Sequence, residues 1–132
     1  MTTDPVILAG DATVAQALAV LRQKDVSAAS AAQVFICRAP LETPTGRLVG
    51  VVHMQRLLRE PPALSLAIVA ERETNAISAD TQLNDVVRHL ANYNLLAAPV
   101  VDEHDRLLGA VTVDDVLDHL LPLNWRRSEA GK

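Results

Sequence analysis

Apolar positions along this chain follow two rhythms, and each rhythm is written twice. Val14, Ala17, Leu18 and Leu21 recur at i, i+3, i+4 and i+7, as do Leu83, Val86, Val87 and Leu90. That spacing places four side chains on one face, so two amphipathic helices are predicted. Asp11 or Thr13 precedes the first helix and Asp80 or Thr81 the second, where a side-chain oxygen can cap the opening turn.

After each helix the rhythm changes to a short β-branched run, Gln33-Val34-Phe35-Ile36-Cys37 and Ala98-Pro99-Val100-Val101. Turn-rich connections, Pro40 to Gly46 and Asp102 to Asp105, lead to second runs at Leu48 to Val52 and Leu107 to Val111. Two apolar runs joined by turn residues read as a hairpin. A short helix closes each copy, at Met54 to Arg59 and at Val113 to Leu120, and leading strands are predicted at Val6-Ile7-Leu8 and Asn75-Ala76-Ile77.

The duplication is visible in the residues themselves. Asp11-Ala12-Thr13-Val14-Ala15-Gln16-Ala17-Leu18 lies against Asp80-Thr81-Gln82-Leu83-Asn84-Asp85-Val86-Val87, and Arg47-Leu48-Val49-Gly50-Val51-Val52 against Arg106-Leu107-Leu108-Gly109-Ala110-Val111. Neither copy is large enough to cover both faces of its own sheet, so the two are expected to pack face to face. The predicted fold class is α/β (α+β): two pseudo-symmetric units, each a small β-sheet flanked by two helices, forming a disc-like pair. Unit 1 spans residues 1–62, closed by the helix-breaking Pro61-Pro62. Residues 63–74 join it to unit 2 at 75–121, and 122–132 form a C-terminal tail.

Composition narrows the function classes. The 132 residues carry a net charge of −4, and 49% are hydrophobic, almost all aliphatic, with Phe35, Tyr93 and Trp125 the only aromatics. A large multidomain enzyme is excluded by length, and stacking of nucleobases on aromatic rings has little to use. The acidic balance argues against nucleic acid as a partner. Cys37 is the single cysteine, which rules out an intrachain disulfide and Cys-based zinc sites and fits a reducing, cytoplasmic setting. No apolar run reaches membrane-spanning length, so direct membrane insertion is not expected.

The repeat resembles a tandem pair of CBS domains, the sensory unit also called a Bateman module. The residues carrying the resemblance are Ala98-Pro99-Val100-Val101-Asp102 and Arg106 through Leu117, with a degenerate counterpart at Arg47 to Leu58. More narrowly, Leu107 to Leu121 with Pro122 and Trp125-Arg126-Arg127, and Gln33 to Arg38 with His53 to Pro62, resemble the CBS portion of actinobacterial-type relatives of MgtE magnesium transporters. In that family a helical N-terminal domain usually precedes the pair and a membrane domain sometimes follows. The resemblance therefore implies a fragment or a shortened relative.

For the sites, the resemblance implies a nucleotide role for Thr112 and Asp115, within Thr112-Val113-Asp114-Asp115. The hydroxyl and helix start would hold phosphate and the carboxylate would accept the ribose hydroxyls of ATP, ADP or AMP. The adenine would lie among Ile77, Ala98, Pro99 and Val111. The same spacing also reads as a helix capping box, and both readings can hold together. In the first copy His53 and Arg56 stand at the corresponding positions, which removes the ribose acceptor; Arg56 can instead be a phosphate fork or a surface arginine.

Charge divides unevenly between the copies. Residues 11–60 hold six basic and four acidic residues, net +2, whereas residues 80–120 hold two basic and eight acidic, net −6. Asp114 and Asp118 share a helix face at i and i+4. They are candidate ligands for a hydrated Mg²⁺ if another carboxylate faces them, or a solvated acidic helix start. His53, His89, His104 and His119 show no i, i+4 zinc spacing, and no nucleophile or phosphate-loop motif is present.

These readings predict a non-enzymatic regulatory CBS pair that forms a homodimer. It would belong to a magnesium transporter-like protein, on the cytoplasmic side, and respond to Mg²⁺ or an adenine nucleotide. Its partners would be a second copy and the helical N-terminal or membrane domain of the parent. The alternatives are a nucleotide sensor unrelated to transport and a ligand-free dimerisation module.

Overall fold

The computed structural model describes residues 5–23, 26 and 28–120. The first half runs β1 (Ile7–Leu8), α1 (Val14–Leu21), α2 (Ala28–Ala31), β2 (Gln33–Cys37), β3 (Leu48–His53) and α3 (Met54–Leu57). A helical turn, α4 (Leu66–Val69), follows. Apart from α2, the second half repeats the order with β4 (Ile77–Ser78), α5 (Leu83–Asn92), β5 (Ala97–Val101), β6 (Leu107–Thr112) and α6 (Val113–Leu120). The predicted tail, with Pro122, Trp125, Arg126 and Arg127, lies outside the described residues.

Each half is a three-stranded sheet, β1-β2-β3 or β4-β5-β6, with a parallel first pair and an antiparallel hairpin. The likeness extends to detail: Gln33 faces His53 across the first hairpin as Ala97 faces Thr112 across the second, and both hairpins shift register near the end of their first strand. The mixed α+β class and the duplication are as the sequence predicts.

Alternation along the strands divides the apolar residues into three layers. Val34, Ile36 and Val52 pack under helices with Val14, Ala17 and Leu57. Ala98, Val100 and Ile77 do the same with Val86, Leu90 and Val116. Between the sheets lie Phe35, Cys37, Leu48, Val51, Val101, Leu107 and Ala110, the face-to-face packing expected of units too small to stand alone.

Polar contacts fix how the sheets meet. Thr45, only 1% exposed, donates its N–H to the Leu107 carbonyl at 3.1 Å, and its Oγ1 accepts from the Leu107 N–H at 3.0 Å. Leu48 N–H donates to the Asp105 carbonyl at 2.8 Å. Gly46 follows directly, its N–H on the carbonyls of Arg38 and Pro40; a Cβ there would meet the Arg38 and Ala39 carbonyls at 2.5 Å. Only glycine lets the hairpin loop close this tightly.

Of the two expected helix caps, the first forms and the second does not. Thr13 rather than Asp11 caps α1, in a capping box with Gln16 at 3.2 and 2.8 Å. At α5 neither Asp80 nor Thr81 caps: Gln82 occupies the N-cap without a side-chain bond. Asp80 instead accepts from the Ser78 hydroxyl at 2.6 Å, and that bond holds its carboxyl below the ordinary range. The neighbouring hydroxyl competes successfully for the oxygen that a cap would use.

The joining stretch also has a packing role of its own. Leu66 and Val69 of α4 are buried in the first half's helix-side core, and Val51 and Glu71 exchange backbone hydrogen bonds at 2.9 and 2.8 Å.

Candidate functional site

Thr112 ends β6 and caps α6. Its Oγ1 accepts from the Asp115 N–H at 3.1 Å, while its own N–H donates to Asp115 Oδ2 at 3.3 Å. The capping-box geometry is therefore formed. Thr112 is buried at 5% exposure and Asp115 is half-buried. Val113 N–H donates to the Leu96 carbonyl at 2.9 Å, which ties the helix start to the strand entry beside it.

The four residues expected around an adenine do not share one open wall. Ile77, Ala98 and Val111 gather in the layer beneath the helices of the second half, with Ala98 at 0% exposure. Pro99 is also fully buried, and strand alternation places it on the opposite face, toward the first sheet. Asp114 and Asp118 are exposed on α6. Among the described residues no group of three or more His, Cys, Asp or Glu side chains is arranged to hold a metal ion.

The structure brings forward a residue the sequence reading passed over. A cleft of about 260 Å³ lies where the halves meet, between the start of β2, the β3–α3 junction and the α5–β5 connection. Gln33, His53 and Gln55 line it from the first half, and Asn94, Leu95 and Leu96 from the second. Gln33 is only 4% exposed, and its Oε1 has no hydrogen-bond partner. A buried acceptor left unpaired is costly, which marks it as a group suited to a donor from outside the chain. The signal in the sequence is a long polar side chain opening an otherwise apolar strand, where the second copy has Ala97.

His53 is at the position of Thr112 by strand register, but the start of α3 carries no side-chain cap. Its Nε2 lies 3.6 Å from Glu71 instead. Arg56 pairs with Glu60 at 2.8 Å, the surface-arginine arrangement.

A duplicated three-stranded unit, paired face to face around a cleft that both copies line, defines a tandem two-domain module. The CBS domain family matches residues 1–63 and 69–122, and the chain belongs to that family as a CBS pair. It is 33% identical over 120 residues to the magnesium transporter MgtE of Thermus thermophilus, covering 91% of this chain and 26% of that protein. It is 34% identical over 119 residues to MgtE of Enterococcus faecalis, covering 89% and 25%. A crystal structure of the cytosolic domain of the Mg²⁺ channel MgtE in complex with ATP superposes with a TM-score of 0.76 at 31% identity, covering 90% of this chain and 46% of that one. The chain thus spans about a quarter of the length of the curated relatives it matches. Among the described residues no helix is long and apolar enough to cross a membrane.

Proposed function

We propose that this chain is a non-enzymatic regulatory module of an MgtE-like magnesium-transport protein, acting on the cytoplasmic side and responding to Mg²⁺ or an adenine nucleotide. The observation that carries the reading is the cleft with the unpaired Gln33 Oε1, because a ligand there touches both halves at once. Such a ligand favours one relative arrangement of the halves, by no more than its difference in affinity for the two arrangements. The MgtE relative solved with ATP supports a nucleotide as input.

In the same proposal Thr112 and Asp115 hold the phosphate and ribose of ATP, ADP or AMP in a second position, with Ile77, Ala98, Pro99 and Val111 around the base. Because Ala98 and Pro99 are buried, occupation of that position requires the second half to open. Asp114 and Asp118 bind hydrated Mg²⁺ when a facing carboxylate comes from a second copy or a neighbouring domain. The partners are a second copy of the chain and the helical N-terminal or membrane domain of the parent.

A ligand-free dimerisation module is the second reading, favoured by His53 and Arg56 at the first copy's motif positions and by the Arg56–Glu60 pair. A thermal-shift panel with Mg²⁺, Ca²⁺, ATP, ADP and AMP separates the readings, since a ligand that prefers the folded state raises the melting temperature. A rise with Mg²⁺ or a nucleotide supports regulation. No rise with any of them at millimolar concentration overturns it in favour of the dimerisation module.

A further inference from the structure

A second hollow lies away from the cleft, at the far end of the first sheet, with a volume of about 760 Å³. That is within the range of small-molecule sites. Three arginines line it, Arg38, Arg47 and Arg72, against one acid, Asp11. Among the described residues none of the three arginines has an ion-pair partner.

Their placement is fixed by backbone bonds from separate segments. Arg38 N–H donates to the Arg47 carbonyl at 2.9 Å, one step beyond the Cys37–Leu48 pair, so the two arginines stand directly across the hairpin. Like charges in that relation are destabilising unless something neutralises them. Arg72 follows Glu71, whose backbone is bonded twice to Val51 of β3. Ala67 and Ala70 of the α4 segment form part of the wall and leave the space open because their side chains are short.

We propose that this hollow binds a small soluble anion carrying two or more phosphate charges. Guanidinium groups present paired N–H donors that match phosphate oxygens, and three of them lining one hollow, from the β2–β3 connection and from the stretch that joins the halves, suit several phosphate charges rather than one. The anion relieves the Arg38–Arg47 repulsion and links the hairpin to the segment that joins the two halves. This site is separate from the cleft beside Gln33 and does not depend on the reading given for it.

Isothermal titration of the full chain with inorganic tripolyphosphate, in metal-free buffer at low salt, tests the proposal. We expect saturable binding to one site that weakens as salt rises. Arg38→Ala, Arg47→Ala and Arg72→Ala each weaken it about tenfold or more, while Arg88→Ala on α5 leaves it unchanged. All four arginines are exposed, so unaltered melting curves show that the variants fold. Gln33→Met retains tripolyphosphate binding, which separates this site from the cleft. Absence of binding at millimolar tripolyphosphate, or equal weakening by Arg88→Ala, overturns the proposal.

Discussion

Thr45 and Leu107, far apart in the sequence, hold each other by both backbone and side chain: the Thr45 N–H donates to the Leu107 carbonyl and the Leu107 N–H to the Thr45 hydroxyl. The same hydroxyl donates to the Gly46 carbonyl at 2.6 Å. This buried polar stitch sits at the margin of the inter-sheet apolar layer, beside Cys37, whose thiol is pushed up by burial and eased back by a Thr45 hydrogen bond.

Thr45→Val removes that acceptor and leaves the buried Leu107 N–H unpaired. The expected loss is about 1–3 kcal/mol of unfolding free energy. Urea denaturation measures it; a change below about 0.5 kcal/mol would show that water replaces the hydroxyl.

Thr112→Ala removes the cap of α6 and costs about 1 kcal/mol. Thr112→Ser keeps the oxygen and recovers most of the loss. A double-mutant cycle with Asp115→Ala reads their coupling directly, and additive losses would contradict the reciprocal bonding seen at 3.1 and 3.3 Å.

Gln33→Met replaces the side chain that carries the buried, unpaired Oε1 with an apolar chain of similar length. Stability rises by about 1 kcal/mol or more, while any rise in melting temperature given by ATP becomes smaller. Guanidinium denaturation and thermal shift measure the two effects; a stability loss would mean that the carbonyl is already satisfied in solution.

Asp102 is expected to contribute to the acid limb of the stability curve. Desolvation pushes its carboxyl up, but N–H donors from Arg106 and His104 at 3.0 and 2.9 Å and the Arg106 guanidinium at 2.7 Å outweigh it, so the group lies below the ordinary range. A carboxyl lowered on folding contributes stability above the unfolded pKa of about 3.9, and that contribution fades as pH falls through the lower folded value. Asp102→Asn is expected to flatten the pH dependence between about pH 5 and pH 2. Denaturation midpoints across that range test it, and an unchanged slope would assign the acid limb to other groups.

Much of the fold is legible before any coordinates. The helix faces at Val14–Leu21 and Leu83–Asn92, both hairpins and the duplication follow from spacing that each segment carries within itself. Thr112 and Asp115 are legible for the same reason, since residues three apart at a helix start meet whatever surrounds them. Asp80 shows the limit: its choice between the helix and the Ser78 hydroxyl depends on a neighbour's rotamer.

Local spacing carries the repeat, the helix–strand–strand–helix order within each unit and the need of two small sheets for one shared core, though not the short helices α2 and α4, because helical and strand periodicities are local and hydrophobic burial demands a partner face. Long-range packing is what places Leu66 and Val69 in the first core, leaves the buried Gln33 Oε1 without a partner between the halves, and sets Arg38, Arg47 and Arg72 around one hollow. Those relations join segments distant along the chain. They are set by how the layers pack, which no spacing within one segment records.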